Sequence, residues 1–310
     1  MITVQSIDKY DKEHPTAITI GTFDGVHIGH RKILGKLIEN AKTHNLKSAV
    51  LTFFPHPRMV LQKDTDIKLL NTIEEKKTIL DSLGLDYLII HPFTKEFSRL
   101  TATEFVRDIL VNSLQAKKII IGYDHRFGRN REANINDLIA FGNALDFEVD
   151  EIPAQEVNEV SVSSTKIRKA LEAGNIEVAN SYLGYPYMLT GVVQKGKGLG
   201  RTLDFPTANL FIKESYKLIP KNGVYVVQTK IDDVMVYGMM NIGYNPTVSG
   251  KEKSIEVHLF DFKGNLYDRQ LQIGILAFIR EEHKFESIAA LRDQLEKDKE
   301  TSRTLLKDHA

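Results

Sequence analysis

Apolar residues between about residue 15 and Gly184 alternate between short continuous runs and a helical period. The continuous runs are rich in β-branched residues and predict strands, the central ones apolar enough to be covered on both faces. These runs lie at 17–20, 49–53, 87–90, 119–121 and 147–149. The segments of helical period lie between them, at 31–43, 73–83, 102–114 and 136–145. Alternating strands and helices predict an α/β fold, a doubly wound parallel sheet whose ligands bind at the carboxyl ends of the strands.

The pattern changes after Gly184, where short strand-like runs follow one another with turn residues and no helical segments between them. These runs lie at 192–193, 223–227, 234–237, 255–260 and 271–275. Evenly spaced short strands of this kind predict a small antiparallel β-barrel. From residue 285 onward the helical period returns and predicts one closing amphipathic helix. We therefore predict two domains, one over residues 1–184 and one over residues 185–310.

Composition and charge narrow the classes of function. The 310 residues include 41 basic and 41 acidic side chains, so the net charge is zero and no overall field would attract a polyanion. Nucleic acid and membrane surfaces are therefore poor candidates as partners, and no segment resembles a signal peptide or a membrane span. The chain has no cysteine, so metal binding would use oxygen or imidazole ligands. We expect a cytoplasmic protein that acts on small molecules, with its oligomeric state left open.

The segment 21–30, with the sequence GTFDGVHIGH, follows the first predicted strand and leads into a predicted helix. Its glycines allow a tight turn, and the free amides and positive end of the helix would face a phosphate. His27 and His30 are three residues apart, where two imidazoles can donate to a triphosphate and stabilise charge on leaving pyrophosphate. A loop with two surface histidines is the ordinary alternative, and a zinc site would lack a third ligand. The pattern favours phosphate chemistry.

The segment 161–168, with the sequence SVSSTKIR, opens another helix after the last predicted strand of the sheet. It offers hydroxyl groups as caps, a second set of free amides and two cations. By itself it is more simply an ordinary helix cap, with Ser163 or Ser164 as the capping residue. Together with the histidine segment, defined as residues 21–30, it supports a phosphate site.

The predicted barrel has its own glycine-rich segment, with glycines at 196, 198 and 200, followed by the sequence PTAN at 206–209. It is not a dinucleotide fingerprint, because Pro206 stands where a helix would have to begin, and it lacks the Lys-Ser/Thr pair of a P-loop. The segment is typical of a flexible flap over phosphates. Two phosphate-binding segments on different local structures predict two sites, and therefore an enzyme that catalyses two steps.

The histidine segment and the segment 161–168 resemble the paired signatures of the nucleotidylyltransferase superfamily. The chain from about residue 15 to the final helix resembles bacterial bifunctional riboflavin kinase/FMN adenylyltransferases, also called FAD synthetases. Further matching segments are FFPHP at 53–57, GYDHRFG at 122–128, PTAN at 206–209, NPT at 245–247 and EVH at 256–258. The resemblance implies that a nucleotidylyltransferase-like first domain transfers the adenylyl group of ATP to FMN. It also implies that the barrel is a riboflavin kinase domain, which transfers the γ-phosphoryl group of ATP to riboflavin.

The resemblance also implies roles for particular residues of the first domain. The phosphates of ATP would be held by residues of the two signature segments, namely Gly21, Phe23, Asp24, Gly25, His27, His30, Ser164, Thr165 and Arg168. His27, His30 and Arg168 would be catalytic. The flavin substrate would contact His56 and Asp124.

In the kinase domain, the resemblance implies an ATP site formed by Gly196, Lys197, Gly198, Thr207 and Asn209. Thr207 and Asn209 would also hold Mg²⁺, and Glu256 would be the base for the ribityl hydroxyl of riboflavin. The residues alone favour a simpler interpretation, in which Thr207 and Asn209 lie in a turn and Glu256 is a solvated strand position.

Three places depart from the family pattern, and one of them is the sequence REAN at 131–134, which replaces a common Gly-Asp ending. Asp204 stands where glycine is usual. We expect its negative charge to repel the phosphates of ATP, or its side chain to restrict the backbone, beside the predicted flap. His125 stands where phenylalanine is usual, beside a predicted flavin contact. The alternatives are therefore an enzyme in which only the FMN adenylyltransferase is active, or a non-catalytic flavin-binding or regulatory protein. Class I aminoacyl-tRNA synthetases share the His-x-Gly-His pattern, but neutral charge and the lack of an evident tRNA-binding module argue against them.

Overall fold

The structure is a computed structural model, and it describes residues 1–62, 66–123, 125–153, 162–196, 200, 203–247 and 250–307. Contacts within the chain divide it into two compact units, Met1–Ser164 and Thr165–Ala310. One unit contains an open sheet and the other a closed barrel. The predicted α/β class, with a parallel sheet followed by a barrel, is confirmed.

The first unit contains a six-stranded sheet in which every pairing is parallel. Its strands are β1 (Ile2–Val4), β2 (Thr16–Ile20), β3 (Lys47–Phe53), β4 (Tyr87–His91), β5 (Ala116–Gly122) and β6 (Glu148–Ile152). The helices of this unit are α1 (Ile28–Thr43), α2 (Pro57–Leu61), α3 (Ile73–Ser82), α4 (Ala102–Glu104) and α5 (Ile135–Leu145). α4 continues as a π-helix over Phe105–Ser113, where the sequence predicts an ordinary α-helix.

The order of the strands, β1-β4-β3-β2-β5-β6, creates a crevice beside β2. From β2 the chain adds β3 and then β4 on one side, and it returns to add β5 and then β6 on the other. The connections that leave β2 and β5 therefore diverge, and doubly wound sheets bind their ligands at such a point. The histidine segment begins directly after Ile20, the last residue of β2.

Successive residues of the central strands are buried, as expected when both faces of a sheet are covered. Ala49, Val50 and Leu51 of β3 are fully buried, as are Ile119 and Ile120 of β5. Burial of a large aliphatic side chain contributes about 1.5–3 kcal/mol to folding. The sheet is therefore a firm support for the loops at its carboxyl edge.

The second unit contains a closed barrel of six antiparallel strands, which confirms the predicted barrel. Its strands are β7 (Tyr187–Gln194), β8 (Ala208–Phe211), β9 (Gly223–Ile231), β10 (Val234–Thr247), β11 (Gly250–Leu259) and β12 (Gln270–Arg280). They close in the order β10-β11-β8-β7-β12-β9.

The remaining described α-helices are α6 (Ser164–Ala173), α7 (Ile176–Leu183) and α8 (Ile288–Lys307). α8 is the closing amphipathic helix that the sequence predicts. α7 packs against β7 and β12, and this contact explains why the division of the chain falls before it. The predicted boundary between two functional domains, after residue 184, stays a prediction.

A buried ion pair joins α8 to the barrel. Asp298 is 1% exposed, and the guanidinium of Arg280 donates to both its oxygens, with Nη2 2.7 Å from Oδ2 and Nε 2.9 Å from Oδ1. Replacing Asp298 by alanine would leave this half-buried guanidinium without its carboxylate. We expect the free energy of unfolding of the barrel to fall by about 3–5 kcal/mol, measured by denaturant titration of the full chain with hydrogen exchange in β12.

Glu296→Ala is the matched control for this experiment, because Glu296 lies on the same helix but is exposed and approaches Lys299 only at 3.9 Å. Its replacement should change the free energy of unfolding by less than about 0.5 kcal/mol. Equal effects of the two replacements would contradict the importance of the buried pair.

Candidate active sites

The histidine segment joins β2 to α1, and the helix begins at Ile28. His27 is the N-cap residue of α1, and its ring stacks on the ring of His30, with 3.6 Å between centroids and 15° between planes. The amide of His30 donates to Nδ1 of His27 at 3.4 Å. The two imidazoles therefore lie side by side at the positive end of the helix dipole.

The backbone between β2 and α1 adopts conformations that non-glycine residues rarely occupy. Gly25 has a φ of 89°, which glycine tolerates, but Phe23 and Val26 have φ values of 44° and 34°. Phe23 is buried, and its ring meets that of His30 edge-on at 5.1 Å between centroids. Such conformations cost roughly 1–3 kcal/mol each and cluster at ligand sites, where surrounding contacts hold them.

Asp24 ties this loop to two other parts of the first unit. Its carboxylate is buried, and Oδ1 accepts hydrogen bonds from the amides of Leu70 at 2.9 Å and Asn71 at 3.4 Å. The hydroxyl group of Ser164 donates to the carbonyl oxygen of Asp24 at 2.9 Å. The second predicted signature thus meets the histidine segment at Asp24, across 140 residues of sequence.

Lys76 is a charged residue at this site that the sequence patterns did not indicate. It lies on α3, is 5% exposed, and donates from Nζ to the carbonyl oxygen of Thr22 at 2.6 Å. On α3 it shares a buried face with Ile79 and Leu80. A lysine at an apolar position of an amphipathic helix is the signal that could have found it.

Burial sets the protonation of these groups. It lowers the pKa of His27 to about 4, and burial together with the charges of His27 and Lys76 lowers the pKa of His30 well below its usual range. Both imidazoles are therefore neutral at pH 7, and each can donate one hydrogen bond. Nδ1 of His30 is buried and has no hydrogen-bond partner in the described part of the chain. Burial also lowers the pKa of Lys76, to about 8, against the attraction of Asp24.

We expect the first unit to lose stability as the pH falls from about 6.5 to about 4. In the unfolded chain an imidazole takes up a proton near pH 6.5, whereas buried His27 does so only near pH 4. Between these values the unfolded state binds more protons, so acidification favours unfolding, by up to about 3 kcal/mol for His27. Hydrogen exchange in α1 of the full chain, corrected for the intrinsic exchange rate at each pH, measures this loss. An unchanged pH dependence in a His27→Gln variant would contradict the explanation.

The predicted flavin contacts follow strands on either side of β2. His56 follows β3 and is the N-cap residue of α2, where its Nδ1 accepts a hydrogen bond from the amide of Arg58 at 3.1 Å. The segments 53–57 and 122–128 leave β3 and β5 at the same edge of the sheet as the histidine segment. Asp124 lies outside the described residues, and both flavin contacts stay predictions.

Other predicted residues of the first site lie further along the chain. Thr165 and Arg168 are on α6, in the second unit, and their place at the ATP phosphates stays a prediction. His125, the departure from the family pattern, stacks on the ring of Phe127 with 6.3 Å between centroids and 22° between planes. An imidazole here makes the ring contact that a phenylalanine would make.

The second unit brings Thr207, Asn209 and Glu256 together. Pairing of β8 with β11 sets Asn209 directly opposite Glu256, so that their side chains lie on the same face of the sheet. The hydroxyl group of Thr207 donates to Oε2 of Glu256 at 3.2 Å. These side chains form the polar cluster of the barrel, which the sequence could suggest only through family resemblance.

Gly196 and Gly200, the two described glycines of the glycine-rich segment, lie against this polar cluster. A Cβ at Gly196 would overlap the side chain of Asn209. A Cβ at Gly200 would overlap the carbonyl oxygen of Phe205 and stand 3.4 Å from Oγ1 of Thr207. Glycine is therefore required at both positions by close approach. Lys197 and Gly198, from the predicted ATP site, lie outside the described residues.

A cavity of about 480 Å³ opens beside Thr207. Its walls include Pro206 and the aromatic side chains of Phe262 and Tyr267, which lie on either side of the sequence KGNL at 263–266. A concave pocket with apolar and aromatic walls beside polar groups suits a flat heteroaromatic base. Phe262 and Tyr267 were not predicted, because an aromatic residue near a turn has no distinguishing local pattern.

Asp204 adopts the backbone conformation that glycine favours, with a φ of 64°. Its carboxylate forms an ion pair with Arg292 of α8, with 2.9 Å between Oδ2 and Nη2. The neighbouring side chains of Leu203 and Phe205 are buried in a cluster that includes Leu291 of the same helix. Asp204 therefore occupies a conformation that glycine would adopt readily, and a cation faces its carboxylate.

The described residues contain neither a membrane-spanning helix nor a cluster of metal-ligating side chains. No helix there is long and apolar enough to cross a membrane. No three histidine, aspartate or glutamate side chains there converge as metal ligands would, so the zinc alternative for His27 and His30 still lacks a third ligand.

The chain matches two family models, one for each site. The model of FAD synthetase matches residues 9–166, which include the histidine segment. The model of riboflavin kinase matches residues 183–306, which include the polar cluster of the barrel. Each family model therefore matches the part of the chain that contains one of the two candidate sites.

Full-length relatives carry both activities in their names. The bifunctional riboflavin kinase/FMN adenylyltransferase of Listeria monocytogenes is 38% identical over 288 residues, which are 92% of this chain and 91% of that protein. The enzymes of the same name from Escherichia coli K12 and Bacillus subtilis are 37% and 35% identical, over 92% and 94% of this chain and 91% and 92% of theirs.

A crystal structure with a different name shares the fold. A protein called macrolide-efflux protein, from Streptococcus pneumoniae, has a TM-score of 0.87 and 32% sequence identity, over 97% of this chain and 98% of that one. Its name stands apart from those of the sequence relatives. With one catalytic family model matching each part of the chain, and relatives of nearly equal extent, the chain belongs to the family of bifunctional riboflavin kinase/FMN adenylyltransferases, enzymes of FAD synthesis.

Proposed function

We propose that this chain converts riboflavin to FAD in two ATP-dependent steps, at two separate sites. The barrel site transfers the γ-phosphoryl group of ATP to riboflavin and forms FMN. The site at the carboxyl edge of the sheet transfers the adenylyl group of a second ATP to FMN, and releases FAD and pyrophosphate. The proposal rests on two unlike arrangements in one chain: stacked histidines at a helix start, and Gly196 and Gly200 in close approach to Asn209 and Thr207 beside the Thr207–Glu256 hydrogen bond.

In the adenylyltransferase step, a phosphate oxygen of FMN attacks the α-phosphorus of ATP, and pyrophosphate leaves. FMN is itself the nucleophile, so the protein needs no covalent intermediate and contributes positioning and charge stabilisation. We assign to His27 and His30 the role of neutral donors to the ATP phosphates, beside the free amides at the start of α1. Ser164, Thr165 and Arg168 would approach the same phosphates, with the guanidinium of Arg168 as a fixed positive charge.

In the kinase step, Glu256 accepts the proton of the terminal ribityl hydroxyl while that oxygen attacks the γ-phosphorus of ATP, and ADP leaves. The hydroxyl group of Thr207 donates its hydrogen to Glu256, which leaves the oxygen lone pairs of Thr207 available to a cation. Thr207 and Asn209 offer neutral oxygens, which suit Mg²⁺, an ion that takes few protein ligands and keeps phosphate oxygens and waters. Bound Mg²⁺ would neutralise charge on the transferred phosphoryl group. The aromatic cavity would hold the adenine base.

A time course tests both steps in one experiment. The protein is incubated with riboflavin, ATP and Mg²⁺, and riboflavin, FMN and FAD are separated by chromatography. FMN that appears before FAD supports the proposal. FAD that forms only from supplied FMN would mean that the barrel is not an active kinase. Unchanged riboflavin and FMN would overturn the catalytic proposal in favour of a flavin-binding protein.

Replacement of Arg292 by alanine is expected to raise the KM for ATP in FMN formation about two- to fivefold. The charge of Asp204 would then stand uncompensated next to the glycine-rich segment, but exposure and salt limit the effect. Steady-state kinetics at low ionic strength measures the change, and FAD formation from supplied FMN serves as the internal control. In an Asp204→Gly background the same replacement should have no effect, and an equal effect there would contradict the role of the ion pair.

A further inference from the structure

Lys76 places a buried ammonium group beneath the loop that leads into α1, and neither proposed reaction step uses it. Its side chain is 5% exposed, and Nζ lies 2.6 Å from the carbonyl oxygen of Thr22. Thr22 stands between the end of β2 and the strained residues of the histidine segment. Burial of an ammonium group is costly unless neighbouring groups compensate it. The hydrogen bond to the carbonyl oxygen of Thr22 is therefore one of the contacts that compensate the burial of this ammonium group.

The charged and titratable groups around Lys76 come from three elements. Asp24, in the loop, attracts the ammonium group, and His30, on α1, is near enough for the charge of Lys76 to lower its pKa. Glu75, the neighbour of Lys76 on α3, accepts a hydrogen bond from the amide of Thr72 at 2.9 Å. At pH 7 the histidines are neutral, and the charges next to the loop include the carboxylate of Asp24, the ammonium group of Lys76 and the guanidinium of Arg31, which donates from Nε to the carbonyl oxygen of Val26 at 3.4 Å.

We propose that Lys76 is a positioning residue of the adenylyltransferase, which anchors the loop at Thr22 and compensates the charge of Asp24, so that the loop can accept the polyphosphate of ATP. This inference rests on the proposed function of the same site. Lys76 acts through the loop, because its ammonium group is engaged with a loop carbonyl. Without Lys76, no ammonium group would offset the charge of the buried Asp24 carboxylate, which accepts hydrogen bonds from two backbone amides, and the loop would lose its anchor at Thr22.

The test compares Lys76→Met with Lys77→Met in full-length protein. Met keeps most of the length of Lys76 and removes its charge. Lys77 is the adjacent residue of α3, and its exposed ammonium group pairs with Glu74 at 2.9 Å, so Lys77→Met makes the same change in net charge at the surface. We expect Lys76→Met to raise the KM for ATP in FAD formation at least about tenfold and to change the KM for FMN less than about twofold. Lys77→Met should alter neither value by more than about twofold, and riboflavin phosphorylation should be unchanged in both variants.

A pH profile separates this role from simple stabilisation of the fold. The pKa of Lys76 is about 8, while that of His27 is about 4 and that of His30 lies well below its usual range. As the pH rises through about 8 the ammonium group loses its proton, so the KM for ATP of the native protein should rise. Lys76→Met should lack this rise. An Asp24→Asn/Lys76→Met double variant should recover part of the affinity for ATP, because both charges are then removed.

Several results would overturn the inference. A normal KM for ATP in Lys76→Met would overturn it. So would an equal loss of kcat, of the affinity for ATP and of the affinity for FMN, together with faster hydrogen exchange in β2, because that result indicates a structural role alone. If the native protein formed no FAD, the proposed function would fail separately. Lys76 would then be judged by calorimetry with ATP, where loss of one of two binding sites in Lys76→Met supports its placement and an unchanged isotherm refutes it.

Discussion

Replacement of His30 by alanine is expected to lower FAD formation at least about 100-fold and to leave the formation of FMN from riboflavin unchanged. His30 stacks on His27 with 3.6 Å between ring centroids, so alanine removes one neutral donor and the ring that supports the other. The loss falls where charge develops on the leaving pyrophosphate, and kcat should therefore fall more than the affinity for ATP. Chromatography of riboflavin, FMN and FAD from the same incubation reports both steps at once.

Two further variants sharpen this experiment. His30→Gln keeps an N–H donor but not the ring, and it should retain more FAD formation than His30→Ala if the hydrogen bond matters most. His44→Ala is the matched control, since His44 lies at the other end of α1, with its imidazole 2.9 Å from the carbonyl oxygen of Asn40. It should change neither activity. Loss of FMN formation in His30→Ala would contradict two separate sites.

Replacement of Glu256 by glutamine is expected to have the opposite effect, lowering FMN formation about 100- to 10,000-fold and sparing FAD formation from supplied FMN. Glutamine keeps the size of the side chain and can still accept the hydrogen bond from Thr207, which is 3.2 Å long in the native protein. It cannot accept the proton of the ribityl hydroxyl. The KM for ATP should therefore change little, while kcat for riboflavin phosphorylation falls.

The control for this replacement is Glu281→Gln, which alters an exposed carboxylate paired with Lys221 at 2.7 Å. It should leave both activities within about twofold of the native values. If Glu281→Gln lowered FMN formation as much as Glu256→Gln, the assignment of the base would be wrong. Loss of FAD formation in Glu256→Gln would mean that the two sites do not work independently.

The sheet and the barrel could be predicted because their main strands are continuous apolar runs whose spacing is local. The two strands that escaped prediction lack such a run. β1 has three residues, one of them an exposed Ile2, and β8 has four, one of them Asn209 of the polar cluster. The π-helix at Phe105–Ser113 escaped for a different reason, since apolar spacing there also fits an ordinary helix.

The two candidate sites differed in how much of each could be predicted from the sequence. The histidine segment could be identified from its residues because a strand, a tight turn and a helix start follow one another within a few positions. Thr207 and Asn209 needed the family resemblance, because their partner Glu256 is 49 residues away from Thr207 and meets it only through the pairing of β8 with β11. The expectation that Asp204 disturbs the ATP flap did not foresee its pairing with Arg292, 88 residues further on.

The sequence by itself determined the alternation of strands and helices, the change to a barrel and the absence of cysteine, and it predicted two phosphate-binding segments. Each of these depends on residue types or on neighbours within one turn or strand. Only the tertiary structure decided that Lys76 lies beneath Thr22, that Glu256 faces Asn209, and that aromatic side chains wall a cavity beside Thr207. These contacts depend on strand order, register and burial, which bring distant residues together and which local spacing does not encode.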